Sequence, residues 1–313
     1  MSYRLGFSLL ILILALNGAS PAAEKDAEKL WTSTPVTPEG DFTTGIEGPN
    51  SDAAGNVYAV NYKERGTISK TTLDGKTEVF VTLPKLGPKM TQSVGNGIVF
   101  DKAGMMYVAD YTNHNVLRID PKTREITVFA HEDGMAQPND LAIGPDDVIY
   151  CADPNWGTSK GSVYRVDRAG KVTKVADGQG TTNGIEVSPD GKWLYTNESV
   201  QRGVWKFPIN ADGTLGERTL LKQFEDHGFD GMRCDVDGNL YITRYGKGTV
   251  VVLSPEGKQL QEIDVLGKSP SNVCFGGPDG RTAYVTEVEH RRLVSFRTDK
   301  PGLVWKRWQE AKQ

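Results

Sequence analysis

Six copies of one short pattern run through the chain, and they restrict its fold more than any other feature. Each copy joins a polar residue, a short apolar run, a turn carrying Gly or Asp, and a run centred on an aromatic residue. The copies read EGPNSDAAGNVYAV, NGIVFDKAGMMYVAD, NDLAIGPDDVIYCAD, NGIEVSPDGKWLYTNE, DGMRCDVDGNLYITR and NVCFGGPDGRTAYVTE. Tyr58, Tyr107, Tyr150, Tyr195, Tyr241 and Tyr284 mark the register, at successive spacings of 49, 43, 45, 46 and 43 residues. Asp-Gly, Asp-Asp or Ala-Gly sits at the turn, where positive φ is wanted. A third alternating run follows (NVLRID, GSVYRVD, GTVVVLS), then a second turn and a fourth run such as TEVFVTL or EITVFAH. Four antiparallel strands at about a 45-residue period are the signature of a propeller blade. One such sheet cannot bury both faces, whereas six arranged radially can, and they leave few edges open. The expected fold is therefore all-β: a six-bladed β-propeller of four-stranded antiparallel blades around a central channel, one domain over residues 24–313. A sandwich of similar strand content would not need six copies in register. Closing the ring takes one chain terminus, and both LWTSTPV near the start and LVWKRW near the end qualify.

The first residues follow a different logic. Arg4 precedes an uncharged apolar stretch over 5–18, and Ser20-Pro21-Ala22 supplies small residues after it. This reads as a secretory signal over residues 1–23, cut after Ala22 or Ala23, with a mature protein in the periplasm or outside the cell. The apolar stretch is short for a bilayer span, and no later one would cross a membrane. Net charge is −4 with acids and bases interspersed, which argues against nucleic acid as a partner. The three cysteines, Cys151, Cys234 and Cys274, lie in apolar runs without zinc-ligand spacing and read as buried free thiols. No amphipathic helix or heptad points to assembly, so a monomer is expected.

The register carries a second message. One polar residue stands eleven or twelve positions before each marker tyrosine: Glu47, Asn96, Asn139, Asn183, Asp230 and Asn272. If the first strand of each blade lines the axis, all six oxygen-bearing side chains converge at one end of the channel. Converging carboxylates call for a cation between them. Oxygen ligands suit one hard divalent ion, Ca²⁺ first, with Mg²⁺ or Mn²⁺ next; Zn²⁺ is admissible, although zinc more usually recruits His or Cys. Turn and strand-end capping would explain any one Asn or Asp, but not a matched set.

These segments resemble the gluconolactonase/regucalcin (senescence marker protein) family of six-bladed propellers over roughly residues 45–290. The resemblance is carried by TNGIEVSPDGKWLYTNES, DGMRCDVDGNLYITRYGKGTVVVLSPEGK, NVCFGGPDGRTAYVTE and QPNDLAIGPDDVIYCADP, in the family's order. It implies that Glu47, Asn183 and Asp230 are metal ligands, that Asn139 faces the metal or substrate, and that Asn96 contacts substrate. It also implies metal-dependent opening of a lactone, a sugar lactone such as gluconolactone being the first candidate. Asp230 is then ligand and general base, with Glu47 the alternative base, while Asn96 and Asn139 orient the substrate. Two departures bear on the substrate: Asn50 and Ser51 follow Glu-Gly-Pro, and Val94 replaces an arginine carried by some sugar-lactone members.

Other chemistries have less support. Neither a Ser-His-Asp constellation nor GxSxG is present, and no Gly-rich phosphate cradle appears. His114, His131, His227 and His290 read as solvated loop residues, with His227 nearest the site at three residues from Asp230. Trp156, in DPNWGTSKG, is placed either to cover the channel mouth or to pack within its loop. The rival from another class is a non-catalytic binding propeller with a structural calcium; another metal-dependent propeller esterase or a lyase-type relative is a third reading.

Overall fold

A computed structural model describes residues 29–312. The signal read over residues 1–23 lies outside them. Asp and Gly at the repeat turns set the first local structure. Asp52 Oδ1 accepts from the backbone N–H groups of Ala54 and Asn56 at 2.9 and 3.0 Å, and Asp235 Oδ1 does the same for Asp237 and Asn239. This locks a tight turn whose penultimate residue is left-handed. At Gly55, φ is +85°, and a Cβ would stand 2.2 Å from the Gly277 carbonyl oxygen, so only glycine fits.

Each turn joins the first two strands of a blade. Blade 1 comprises β2 (Phe42–Ser51), β3 (Val57–Tyr62), β4 (Thr67–Thr71) and β5 (Thr77–Thr82), after a short β1 (Thr34–Pro35). Blade 2 comprises β6 (Gly95–Phe100), β7 (Met106–Asp110), β8 (Asn115–Ile119) and β9 (Ile126–His131). Blade 3 runs through β10 (Leu141–Ile143), β11 (Ile149–Asn155), β12 (Lys160–Val166) and β13 (Val172–Gln179). Blade 4 runs through β14 (Thr182–Val187), β15 (Trp193–Glu198), β16 (Gly203–Pro208) and β17 (Thr219–Gln223). Blade 5 holds β18 (Met232–Cys234), β19 (Leu240–Arg244), β20 (Thr249–Leu253) and β21 (Gln259–Asp264). Blade 6 holds β22 (Pro270–Gly276), β23 (Thr282–Glu287) and β24 (Arg292–Arg297), and a helix α1 (Leu303–Glu310) follows it.

Every blade is an antiparallel sheet in sequence order, except that β1 adds to β24 as the outer strand of blade 6. The N-terminal segment therefore closes the ring. The other candidate, LVWKRW, is helical and caps one end of the channel.

Six apolar cores lie between neighbouring blades, and their order is cyclic. Tyr58, Ile68, Phe100 and Val108 pack blade 1 on blade 2, and Phe42, Ile46, Cys274 and Leu293 pack blade 6 back on blade 1. The marker tyrosines belong to these interfaces; Tyr58, for example, meets Phe80 and Phe100 edge to face. The three cysteines are free and buried, and burial pushes their thiols up, Cys274 to about 12, so none is a nucleophile at neutral pH. The inner strands β2, β6, β10, β14, β18 and β22 touch in turn around the axis.

Candidate active site

Irregularities in the inner strands aim side chains into the channel mouth. β2, β6 and β14 lose regular pairing around Glu47–Asn50, Gly95–Ile98 and Thr182–Ile185. These bulges free Asn96 and Asn183 from the ladder and bend the strands, while Glu47 pairs with Val60 between two register shifts of β2. In blades 3 and 5, Asn139 and Asp230 each stand two residues before the start of β10 and β18. Ring-to-ring hydrogen bonds then fix the level: the N–H of Gly97 donates to Asn139 O at 2.9 Å, that of Gly184 to Asp230 O at 3.1 Å, and that of Gly231 to Ser271 O at 2.7 Å.

This last bond corrects the sequence register. Asn272 was expected to complete the ring, but Ser271 holds the sixth position. Tyr284 pairs with Cys274, ten residues earlier, whereas the partner stands eight residues earlier in most blades. The turn GGPDGRTA is therefore longer than the spacing allowed for. Ser271 bonds to Ile46 O and Thr286, so its hydroxyl is used within the wall. Asn272 stands one step deeper, level with Gly97 and Gly231. Its Nδ2 donates to Glu47 Oε2 at 3.2 Å, and the Gly48 N–H donates to the same oxygen at 2.8 Å. Glu47 is thus held through Oε2, and its carboxyl group also hydrogen-bonds with that of Asp230.

The remaining five residues meet. Glu47, Asn96, Asn139, Asn183 and Asp230 line one cleft of about 450 Å³. The Oδ1 atoms of Asn96, Asn139 and Asn183 are buried without a hydrogen-bond partner. Three orphaned acceptors in one place are costly unless something positive sits among them. Burial pushes Glu47 up to about 7, with the neighbouring Asp140 charge adding to it. Burial and the adjacent Glu47 raise Asp230 well above the usual carboxylate range. Two carboxylates this close share a proton when no cation separates them. Among the described residues no cluster of three or more His, Cys, Asp or Glu forms a metal site. The donor set is two carboxylates and three amide oxygens, which is the chemistry a hard divalent cation requires.

The layer beneath is a buried ion pair. Asp140 accepts from Arg233 at 2.8 and 2.9 Å, and both are buried. The space these side chains need explains the glycines beside them: a Cβ on Gly97 would lie 2.6 Å from Asp140 Oδ1, and one on Gly231 would overlap Asn272. The channel's far end is covered by Leu303, Val304 and Arg307 of α1.

The outer lining includes Thr43, Thr44, Asn61, Arg65, Val94, Tyr111 and Trp156. Trp156 is thus at the mouth, 41% exposed. His227 is exposed and does not line the cleft. Sequence reasoning missed Thr43, Thr44, Asn61, Arg65 and Tyr111, because they lie at the outer ends of β2 and β3 or in the turns beyond the strands, away from the repeated residues. The one available signal was the long 49-residue spacing, which reflects added chain between β5 and β6 that ends at Val94 on the cleft.

The sequence profile described as SMP-30/Gluconolactonase/LRE-like region matches residues 46–289. The chain belongs to this family. Among relatives in the SMP-30/gluconolactonase/LRE-like group, the gluconolactonase of Zymomonas mobilis subsp. mobilis is 25% identical over 303 residues, covering 87% of this chain and 84% of that protein. The 6-deoxy-6-sulfogluconolactonase of Pseudomonas putida is 32% identical over 144 residues, covering 45% of this chain and 50% of that one. The crystal structure of a calcium-binding protein, regucalcin, from Agrobacterium tumefaciens superimposes with a TM-score of 0.72 at 22% identity, over 88% of this chain and 95% of that one. This last likeness is one of fold.

Proposed function

We propose that the protein is a divalent-cation-dependent lactonase acting on sugar lactones in the channel mouth. The observation that carries this reading is the convergence of two carboxylates with three unpartnered amide oxygens in one open cleft. The names of the relatives from Z. mobilis and P. putida support the same reaction class.

Glu47, Asn183 and Asp230 hold the cation, with Ca²⁺ the first candidate and Mg²⁺, Mn²⁺ or Zn²⁺ after it. When bound, the cation supplies Lewis acidity for opening a cyclic ester. The residues of the chain do the rest. Asp230 accepts the proton of the attacking water once the cation has displaced its own proton. Glu47 is oriented by Gly48 and Asn272, which fits a ligand better than a base that must release its proton. Asn96 and Asn139 present amides that fix the ring oxygen and hydroxyls of the substrate. Trp156 and Tyr111 offer apolar faces for the sugar ring.

The test is hydrolysis of sugar and aliphatic lactones after chelation, with each cation restored in turn. Turnover should vanish with chelator and return with metal. Asp230→Ala should lower kcat by about 100-fold or more, the range for loss of a general base. No turnover on any lactone, with calcium still raising the melting temperature, would replace this reading by a binding propeller with a structural cation.

A further inference from the structure

The cleft has a second polar feature that a neutral sugar lactone does not require. Arg65 is its one cationic lining residue. It sits in the hairpin loop between β3 and β4, and the backbone of that loop is fixed. Asn61, itself left-handed at φ 63°, accepts from the Gly66 N–H at 2.9 Å and donates to Gly45 O at 2.6 Å. Thr67 Oγ1 donates to the carbonyls of Tyr62 and Glu64 across the base of the loop. Lys63, two residues away, pairs with Asp41. Arg65 is exposed and, among the described residues, forms neither an ion pair nor a hydrogen bond.

Nor does Arg65 serve the acid pair. The groups acting on Glu47 and Asp230 are each other, Asp140 and nearby amides. The cleft therefore has an acidic floor and a cationic rim, with uncharged Thr43, Thr44, Asn96 and Tyr111 also lining it. A guanidinium presents two parallel N–H donors to an oxyanion, and a fixed loop lowers the cost of ordering it.

We infer that Arg65 is a specificity residue that pairs with an oxyanion substituent, a carboxylate, sulfonate or phosphate, on the part of the substrate remote from the ester. The preferred substrate class is thus an anionic sugar lactone, and this rests on the lactonase reading.

The test compares glucono-1,5-lactone with its 6-phosphate, which differ only in the remote anion. The wild-type protein should favour the phosphorylated lactone in kcat/KM. Arg65→Ala should lower kcat/KM for that substrate by about 10- to 100-fold, mostly through KM, which is the range for a hydrogen bond to a charged group. It should change the neutral lactone by less than about 2-fold, as expected for an exposed side chain outside the reacting centre. Arg65→Lys should retain part of the preference, and added salt should erode it. Equal loss on both lactones, or no loss on either, would overturn the role of Arg65 while leaving the lactonase reading intact. If neither lactone is turned over, the lactonase reading fails, and binding of 6-phosphogluconate against gluconate decides the rest. Tighter phosphate-dependent binding lost in Arg65→Ala supports the anion site; binding unaffected by the substitution contradicts it.

Discussion

At the scale of single residues, the account turns on two acids that are poorly placed without a cation. Glu47 titrates near 7 instead of its ordinary 4.5, and Asp230 is also raised. The sign of the effect on stability follows. Below 4.5 both the folded and unfolded chains hold the Glu47 proton; between 4.5 and about 7 only the folded chain keeps it. This contribution to stability is full at low pH and is lost as pH rises through about 7. A cation competes with that proton. The gain in melting temperature on adding calcium to chelated protein should therefore grow from pH 5 to pH 8. Asp230→Asn removes a buried charge of the pair, so it should raise the melting temperature of the chelated protein and abolish most of the calcium-induced gain. Differential scanning calorimetry with and without chelator reads both effects.

At the scale of elements, the bulged inner strands make the site, and here the sequence was legible in part. Glu47, Asn96, Asn139, Asn183 and Asp230 share a cleft as their spacing from the tyrosines implied. Asn272 does not, because two extra turn residues in GGPDGRTA shifted the count to Ser271. A repeat register counted across a turn inherits any insertion in that turn, and only the strand pairing removes the ambiguity. Of the outer lining only Trp156 and Val94 were legible, since Thr43 at the outer end of β2, and Arg65 and Tyr111 in turns, carry no repeat signal. The same geometry predicts which neighbours cannot change. The Asp140–Arg233 pair supports the floor of the site, and Asp140→Ala leaves a buried guanidinium unpaired. Breaking such a pair costs about 3–5 kcal/mol. Gly97→Ala forces a Cβ to 2.7 Å from the Leu141 nitrogen and 2.8 Å from the Asp140 Cα, which are not free to move. Its cost should be about 1–3 kcal/mol by overpacking, measured by urea denaturation.

At the scale of the whole molecule, six inter-blade cores and one N-terminal closing strand make the ring, and the candidate site lies at one end of it. The fold class was readable because one pattern repeats six times, whereas the terminus that closes the ring was not, since both candidates are short segments outside the repeat. The structure separates their roles: β1 completes blade 6, while α1 covers the other end of the channel with Trp308 bonded to Ser51 O at 3.2 Å. Trp308→Ala should therefore cost about 3–5 kcal/mol of stability without weakening cation binding at the mouth. The central claim is that one cation at the mouth is part of the catalytic apparatus. The most direct measurement is a calorimetric titration of calcium into chelated protein, with lactone turnover followed on the same samples. The account predicts one site per chain and activity that rises in proportion to its occupancy. Full turnover before any calcium is bound, or binding that saturates without activity, would contradict it.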